Sequence, residues 1–195
     1  MSNRLRPAVF CLAVASLLLA APQTDVHCQT TDSAATSSDS VKIAPFDAPP
    51  VWKRYDYRQA NMIVSFPITP AETKDKIGKF DRYTYKASHS IGTFQATSIA
   101  LPTSYNKDQS NQIIAQMARD FIRANGLTIK EKQDYSNGTA GREYTLEKAL
   151  VDMRYRIFIR GSWLYQLVIS ARTDKIDYEM EQEFFGSFDV SRTGR

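Results

Sequence analysis

The sequence predicts an α+β domain in which an antiparallel β-sheet is flanked by two α-helices, and three observations predict it. Short segments with apolar or aromatic residues at alternate positions recur from residue 51 onward, separated by Gly, Pro and Asn turn signals. Two other stretches, 108–124 and 174–185, carry apolar residues at three- and four-residue spacing, the period of an amphipathic helix. Most connections between neighbouring strand segments are too short for the crossovers that parallel pairing requires.

In chain order, residues 52–57 and 62–66 alternate as strands do, and Phe66-Pro67 with Pro70 closes the second. A charged segment, 72–77, and a turn at Gly78 lead to the aromatic run Phe80, Tyr83, Tyr85; residues 91–101 supply another strand, stopped by Pro102. These pieces read as an antiparallel meander. The first helix, 108–124, places Ile114, Met117, Ala118, Phe121 and Ile122 on one stripe, and Asn125-Gly126 ends it. Residues 127–135 lead into the tight-turn pair Asn137-Gly138, and 139–146 return. Residues 153–159 and 163–171 form a hairpin across Arg160-Gly161-Ser162. The second helix, 174–185, opens with Asp174 as N-cap and Asp177 in its first turn; Ile176, Met180 and Phe184 form its apolar line and Gly186 ends it.

The N-terminal end reads as an address. Arg4 and Arg6 precede an uncharged apolar run over 8–21, the n-region and h-region of a secretory signal peptide within residues 1–28. That run is shorter than the roughly 20 residues of a membrane span, which favours a cleaved leader over a retained anchor helix. Cleavage is expected after Ala20 or Ala21, or after Cys28. Lipidation of Cys28 needs a small residue before it and His27 stands there, so a lipoprotein is the lesser alternative. Residues 29–50, rich in Ser, Thr, Asp and Ala and ending in Pro49-Pro50, read as a disordered linker. The single domain then spans 51–191, enough chain to bury a core.

Cys11 and Cys28 are the only cysteines, so the domain can hold no internal disulfide. The formal charge of the whole chain is +4, and without Arg4 and Arg6 there remain 23 basic against 21 acidic residues, a formal +2. Such a small excess is not the footprint of a nucleic-acid-binding protein.

Residue types suited to catalysis are scarce. With no cysteine after Cys28 and His89 as its only histidine, the domain cannot build an ordinary Cys/His zinc site, and neither metal nor cofactor is expected. His89 sits in Ser88-His89-Ser90, read as an exposed loop tip, where a triad role is not the ordinary one. Paired carboxylates could act in glycoside hydrolysis, with Glu143, Glu147, Asp152, Asp177, Glu179, Glu181 and Glu183 as candidates. The last four lie opposite the apolar line of a helix, where a solvated face explains them, and a cross-strand ion pair is the ordinary role for Arg142 or Glu143. No Gly-rich phosphate cradle is present, and Asn137-Gly138-Thr139 matches a glycosylation acceptor that its turn reading already explains.

What remains is a surface. Arg154, Arg156 and Arg160 share one strand face with Phe158, and the partner arm adds Trp163 with Tyr165 or Gln166. Arginines among aromatics suit anionic or planar partners, which makes Arg154, Arg156, Phe158, Arg160 and Trp163 a candidate binding face. The competing reading is a helix lying over this face, with its carboxylates, Glu179 or Glu183, paired to the arginines.

Ile63-Val64-Ser65-Phe66-Pro67-Ile68-Thr69-Pro70, Gly141-Arg142-Glu143, Arg154-Tyr155-Arg156-Ile157, Leu164-Tyr165-Gln166-Leu167 and the ending Phe184-Phe185-Gly186-Ser187-Phe188 resemble a family of exported bacterial proteins with a PsbP-like α/β/α sandwich domain. The resemblance spans about 55–190, with Ile68 where a glycine is common. It implies an antiparallel sheet between helices, and relatives that are accessory or binding modules rather than enzymes. The expected function is a non-catalytic exported protein, periplasmic or secreted, whose partner is an envelope protein, a cell-wall component or a small-molecule ligand. No nucleic-acid partner is expected, and no integral membrane segment once the leader is removed. A carboxylate-dependent envelope hydrolase and a membrane-anchored lipoprotein are the two alternatives.

Overall fold

The computed structural model describes residues 49–135 and 140–191; the leader, nearly all of the linker and the Asn137-Gly138 turn lie outside the described residues. The chain opens with a hairpin, β1 (Lys53–Tyr57) and β2 (Met62–Phe66), joined through a 3-10 turn at Arg58–Ala60 with Asn61 in the left-handed region. Then come β3 (Ala71–Ile77), β4 (Phe80–His89), β5 (Gly92–Ala100), α1 (Lys107–Asn125), β6 (Thr128–Asp134), β7 (Ala140–Lys148), β8 (Val151–Arg160), β9 (Trp163–Arg172) and α2 (Tyr178–Glu181), which widens into a π-type turn over Gln182–Gly186. Strands β3 to β9 form one antiparallel sheet in the order β3-β4-β5-β9-β8-β7-β6.

Two expectations change, for the first hairpin and the second helix, and two features the sequence reading left open are filled in. The charged segment at 72–77 belongs to an edge strand, β3, whose Lys, Asp and Glu residues suit a strand with one unpaired rim. The β1–β2 hairpin is a separate two-stranded sheet and not the start of the meander. α1 carries the chain from β5 to the opposite rim, so that β5 pairs with β9 and not with its successor in sequence. The second helix begins three residues late: Asp177 is its N-cap, accepting a hydrogen bond from the Met180 amide at 2.8 Å. Asp174 instead turns the chain after β9 with φ +63°, its amide donating to Asp152 Oδ2 at 3.2 Å.

α1 matches its expected span closely because its ends are written locally. Asn106 and Gln109 form a reciprocal capping box, and Gly126 takes the left-handed conformation that closes the helix.

Alternation along the strands gives each sheet face its own core. Ile114 and Ala118 of α1 pack with Tyr144, Leu146, Met153, Tyr155, Ile157, Leu164 and Val168. On the other face, Met62, Val64 and Phe66 of the hairpin and Met180, Phe184 and Phe185 of the C-terminal helix pack on Tyr85, Phe94, Phe158, Tyr165 and Leu167. Phe66 and Phe94 meet the Phe184 ring edge-on, each with centroids 5.5 Å apart. Ile63 and Asp189 exchange backbone hydrogen bonds at 2.8 and 2.9 Å and tie the hairpin to the C-terminal segment.

Gly141 on β7 leaves no room for a side chain, since a Cβ there would stand 2.8 Å from Phe158 Cβ and 3.0 Å from the Tyr135 ring. Gly141→Ala is therefore expected to destabilise the fold by about 1–3 kcal/mol in urea denaturation, and an unchanged midpoint would refute this packing.

Candidate functional site

The structure brings the predicted arginine face together and then covers most of it. Arg154 Nε donates to Glu181 Oε1 at 2.8 Å. Arg156 reaches Glu143 Oε2 from Nε at 2.8 Å and from its terminal nitrogen at 2.7 Å, with side chains only 16% and 13% exposed. The Arg156 guanidinium lies 4.5 Å from the ring centres of both Tyr135 and Phe185. Phe158 is buried beside Tyr135, Tyr165 and Phe188. Arg160 remains exposed, 3.7 Å from Asp189, and Trp163 is half-buried beside Tyr83 at the rim. Of the two readings the sequence left open for this face, the covered one describes Arg154, Arg156 and Phe158, while Arg160 and Trp163 stay at its rim. A helix carboxylate does pair with it, but through Glu181 and not Glu179 or Glu183, both of which are exposed.

One pair of candidate acids converges and the rest stand apart: Glu147 and Asp152 are cross-strand partners on β7 and β8 that share Lys130. Glu143 is held by Arg156, and Glu147 pairs with Lys130 at 2.8 Å, four residues and about 13 Å further along β7. Asp152 lies 3.6 Å from the same lysine. Asp177 caps its helix, while Glu179 and Glu183 are exposed. His89 ends β4, its Nδ1 3.4 Å from the Ile91 amide and 3.3 Å from Ser90 Oγ. Among the described residues no three His, Cys, Asp or Glu side chains gather as a metal site, and no helix is long and apolar enough to cross a membrane.

The open site is on the other face. α1 lies over β7 and β8, leaving β3, β4, β5 and β9 as the floor of a groove of about 440 Å³ with the helix as its wall. Register builds the floor: Thr73, Thr84, Thr97 and Gln166 stand in one row across four strands, with Lys86 and Gln95 in the next. Thr84 and Thr97 hydroxyls are 3.3 Å apart, Gln95 Nε2 donates to Thr97 Oγ1 at 3.3 Å, and Gln166 Nε2 donates to the Tyr155 hydroxyl at 2.9 Å. Burial pushes that hydroxyl far above the usual tyrosine range, so it stays protonated. The wall presents Ile113, Met117 and Phe121, all half-buried, and Phe121 stacks on Tyr155 with centroids 4.4 Å apart. At the rim Arg82 grips Asp75 with both guanidinium edges, Nε to Oδ1 at 2.6 Å, and these hydrogen bonds hold the Asp75 carboxyl below the usual carboxylate range.

This groove has mainly hydroxyl and amide side chains with a few charged ones on one side and apolar carbon on the other, a composition suited to reversible binding. Sequence reasoning missed it. A signal existed in the alternation of Thr93, Gln95 and Thr97 with Phe94, Ala96 and Ser98, which marks one face of that strand as wet. Only the β5–β9 pairing places Gln166 and Ser170 beside it.

With this geometry the fold can be compared. No protein-family model matches the sequence, and no curated protein matches it. The solution structure of cyanobacterial PsbP (CyanoP) from Synechocystis sp. PCC 6803 is similar over 74% of this chain and 95% of its own, with a TM-score of 0.53 at 10% identity. A 1.50 Å crystal structure from Bacteroides thetaiotaomicron VPI-5482 covers 73% of this chain and 50% of its own, with a TM-score of 0.41 at 13% identity. The likeness to the first is one of fold, and the described residues form a PsbP-like domain.

Two consequences follow from the ion pairs. Arg156→Ala strands the mostly buried Glu143 and is expected to cost about 3 kcal/mol of stability, whereas Arg160→Ala at its exposed rim position leaves the denaturation midpoint nearly unchanged; equal effects would contradict the burial difference. The Asp75–Arg82 pair, having a lowered carboxyl pKa in the folded state, stabilises fully above about pH 4 and is lost as pH falls through the lowered value. The Tm of the natural protein should exceed that of Arg82→Gln at pH 7 and converge with it toward pH 2, and a gap persisting in acid rules this out.

Proposed function

We propose that this chain is an exported, non-catalytic accessory protein that binds its partner in the groove between α1 and the sheet. The observation that carries this reading is the groove itself, in which one face of four strands of a seven-stranded sheet forms a floor beside a half-buried apolar helix stripe. Its support is threefold. The leader at 1–28 and linker at 29–50 fit export to the periplasm or beyond, with the domain set at a distance from the membrane. The PsbP-like fold, read as an α/β/α sandwich whose second helical layer is shared with the β1–β2 hairpin, fits an accessory module. Of the carboxylates that would serve hydrolysis, Glu143 is engaged by Arg156, and the adjacent Glu147 and Asp152 are both engaged by Lys130. In this reading the arginines of β8 hold the C-terminal segment down, and the binding surface is the face they do not touch.

The test is in intact cells, with a photo-reactive phenylalanine analogue replacing Met117 in the groove or Tyr178, 76% exposed on the C-terminal helix of the other face. The processed protein is expected in the envelope fraction, its mature N-terminus between residues 21 and 29 by mass, with adducts formed from position 117 and not from 178. Adducts from 178 alone would overturn the choice of face, and unprocessed protein in the cytosol would overturn export.

A further inference from the structure

We propose that the groove takes an amphiphile with one negative charge, its carboxylate meeting Lys86 and its apolar body lying along α1; this rests on reading the groove as the binding site. Four charged side chains line the groove: Asp75, Arg82, Lys86 and Asp120. Three are already matched, since Arg82 grips Asp75, and Asp120 accepts from Arg123 at 3.0 Å and from Gln116 at 2.8 Å. Lys86 alone has no carboxylate within ion-pair distance among the described residues, although its side chain is half-buried.

The position of Lys86 explains what an anion would find there. Register sets it opposite Gln95 on β5, with Thr84 and Ser88 on the same face of its own strand. A carboxylate bound to its ammonium can also accept from these amide and hydroxyl groups, and charge-assisted hydrogen bonds are the stronger kind. A bound anion gives Lys86 the counter-ion that it lacks among the described residues. One unmatched cation calls for one negative charge.

The wall defines the rest of the ligand. From Ile113 to Phe121 the apolar stripe runs eight residues, about 12 Å along the helix axis, the span of a medium-length acyl chain. Val168 continues the apolar surface on the floor in the same cross-strand row as Gln95. A polar head at Lys86 therefore leaves a tail in contact with Met117 and Phe121. A neutral oligosaccharide could use the floor hydroxyls but would leave the lysine unmatched.

The experiment uses the processed protein with Nile red as a neutral probe of the groove and sodium decanoate as the competitor, alongside decanol. Decanoate is expected to displace Nile red at least tenfold more effectively than decanol. Lys86→Gln should weaken decanoate about tenfold, the size of one charge-assisted contact, without changing Nile red. Gln95→Glu supplies a counter-ion to Lys86 from the opposite strand and should reproduce that loss with an unchanged Tm, which separates charge from folding. Met117→Glu should abolish both signals. If Nile red depends on Met117 but decanoate fails to displace it, or decanol competes equally, the anionic ligand class is overturned and the groove reading stands. If neither probe responds to Met117→Glu, both readings fall. Displacement by chitotriose without displacement by decanoate would replace the amphiphile with a glycan.

Discussion

Strand β9 returning to pair with β5 is the constraint on which the remaining structure depends. Strands β3 to β5 form one antiparallel meander and β6 to β9 another, and each alone would expose a long unpaired edge. α1 carries the chain to the far rim, so that β6 to β9 can be laid down inward until β9 meets β5 over eight residue pairs, from Thr93–Ser170 to Ala100–Trp163. This pairing makes one sheet from two and aligns the alternating side chains of both halves on common faces. Had β6 paired with β5 directly, neither the core under α1 nor the floor of the groove would exist in its present form.

The same arrangement determines how the two faces are covered. Seven strands at about 4.8 Å spacing are far wider than one helix about 10 Å across. On the α1 face, the helix settles over β7 and β8, where Tyr144, Leu146, Met153 and Tyr155 offer apolar surface, and leaves the Thr- and Gln-bearing strands open. On the opposite face, a hairpin and a short helix share the cover, drawn together by the Ile63–Asp189 bridge and the Phe66–Phe184–Phe94 ring contacts. Coverage is thus nearly complete on one side and partial on the other, which leaves an open groove where the polar residues are.

Arg156 shows how a charged residue serves packing. Its guanidinium is flanked by Tyr135 and Phe185 and neutralised by Glu143, so two ring faces and one carboxylate satisfy it while its stem fills space under the C-terminal helix. Without its partner such a group would cost several kcal/mol in so enclosed a position. Arg154 repeats the arrangement with Glu181. The Arg154–Glu181 pair and the Arg156–Phe185 contact help fix where the short C-terminal helix docks, because the helix itself has too few residues to hold its conformation without tertiary contacts.

The sequence by itself determined the elements whose signals are local: the span of α1, capped by Asn106 and Gly126; the β8–β9 hairpin around Gly161; and which strand residues share a face, since a period of two fixes that without reference to neighbours. It also showed that the chain after Cys28 carries no cysteine and a single histidine, His89. Tertiary structure alone decided the partners across strands, because register partners such as Thr97 and Gln166 are 69 positions apart in the chain and nothing in either segment specifies the other. It decided that the arginine face is covered, because Glu143 and Glu181 reach it from separate elements. It also decided that the groove is open, since a polar strand residue looks the same in sequence whether it meets bulk water or forms one wall of a site beside an apolar helix.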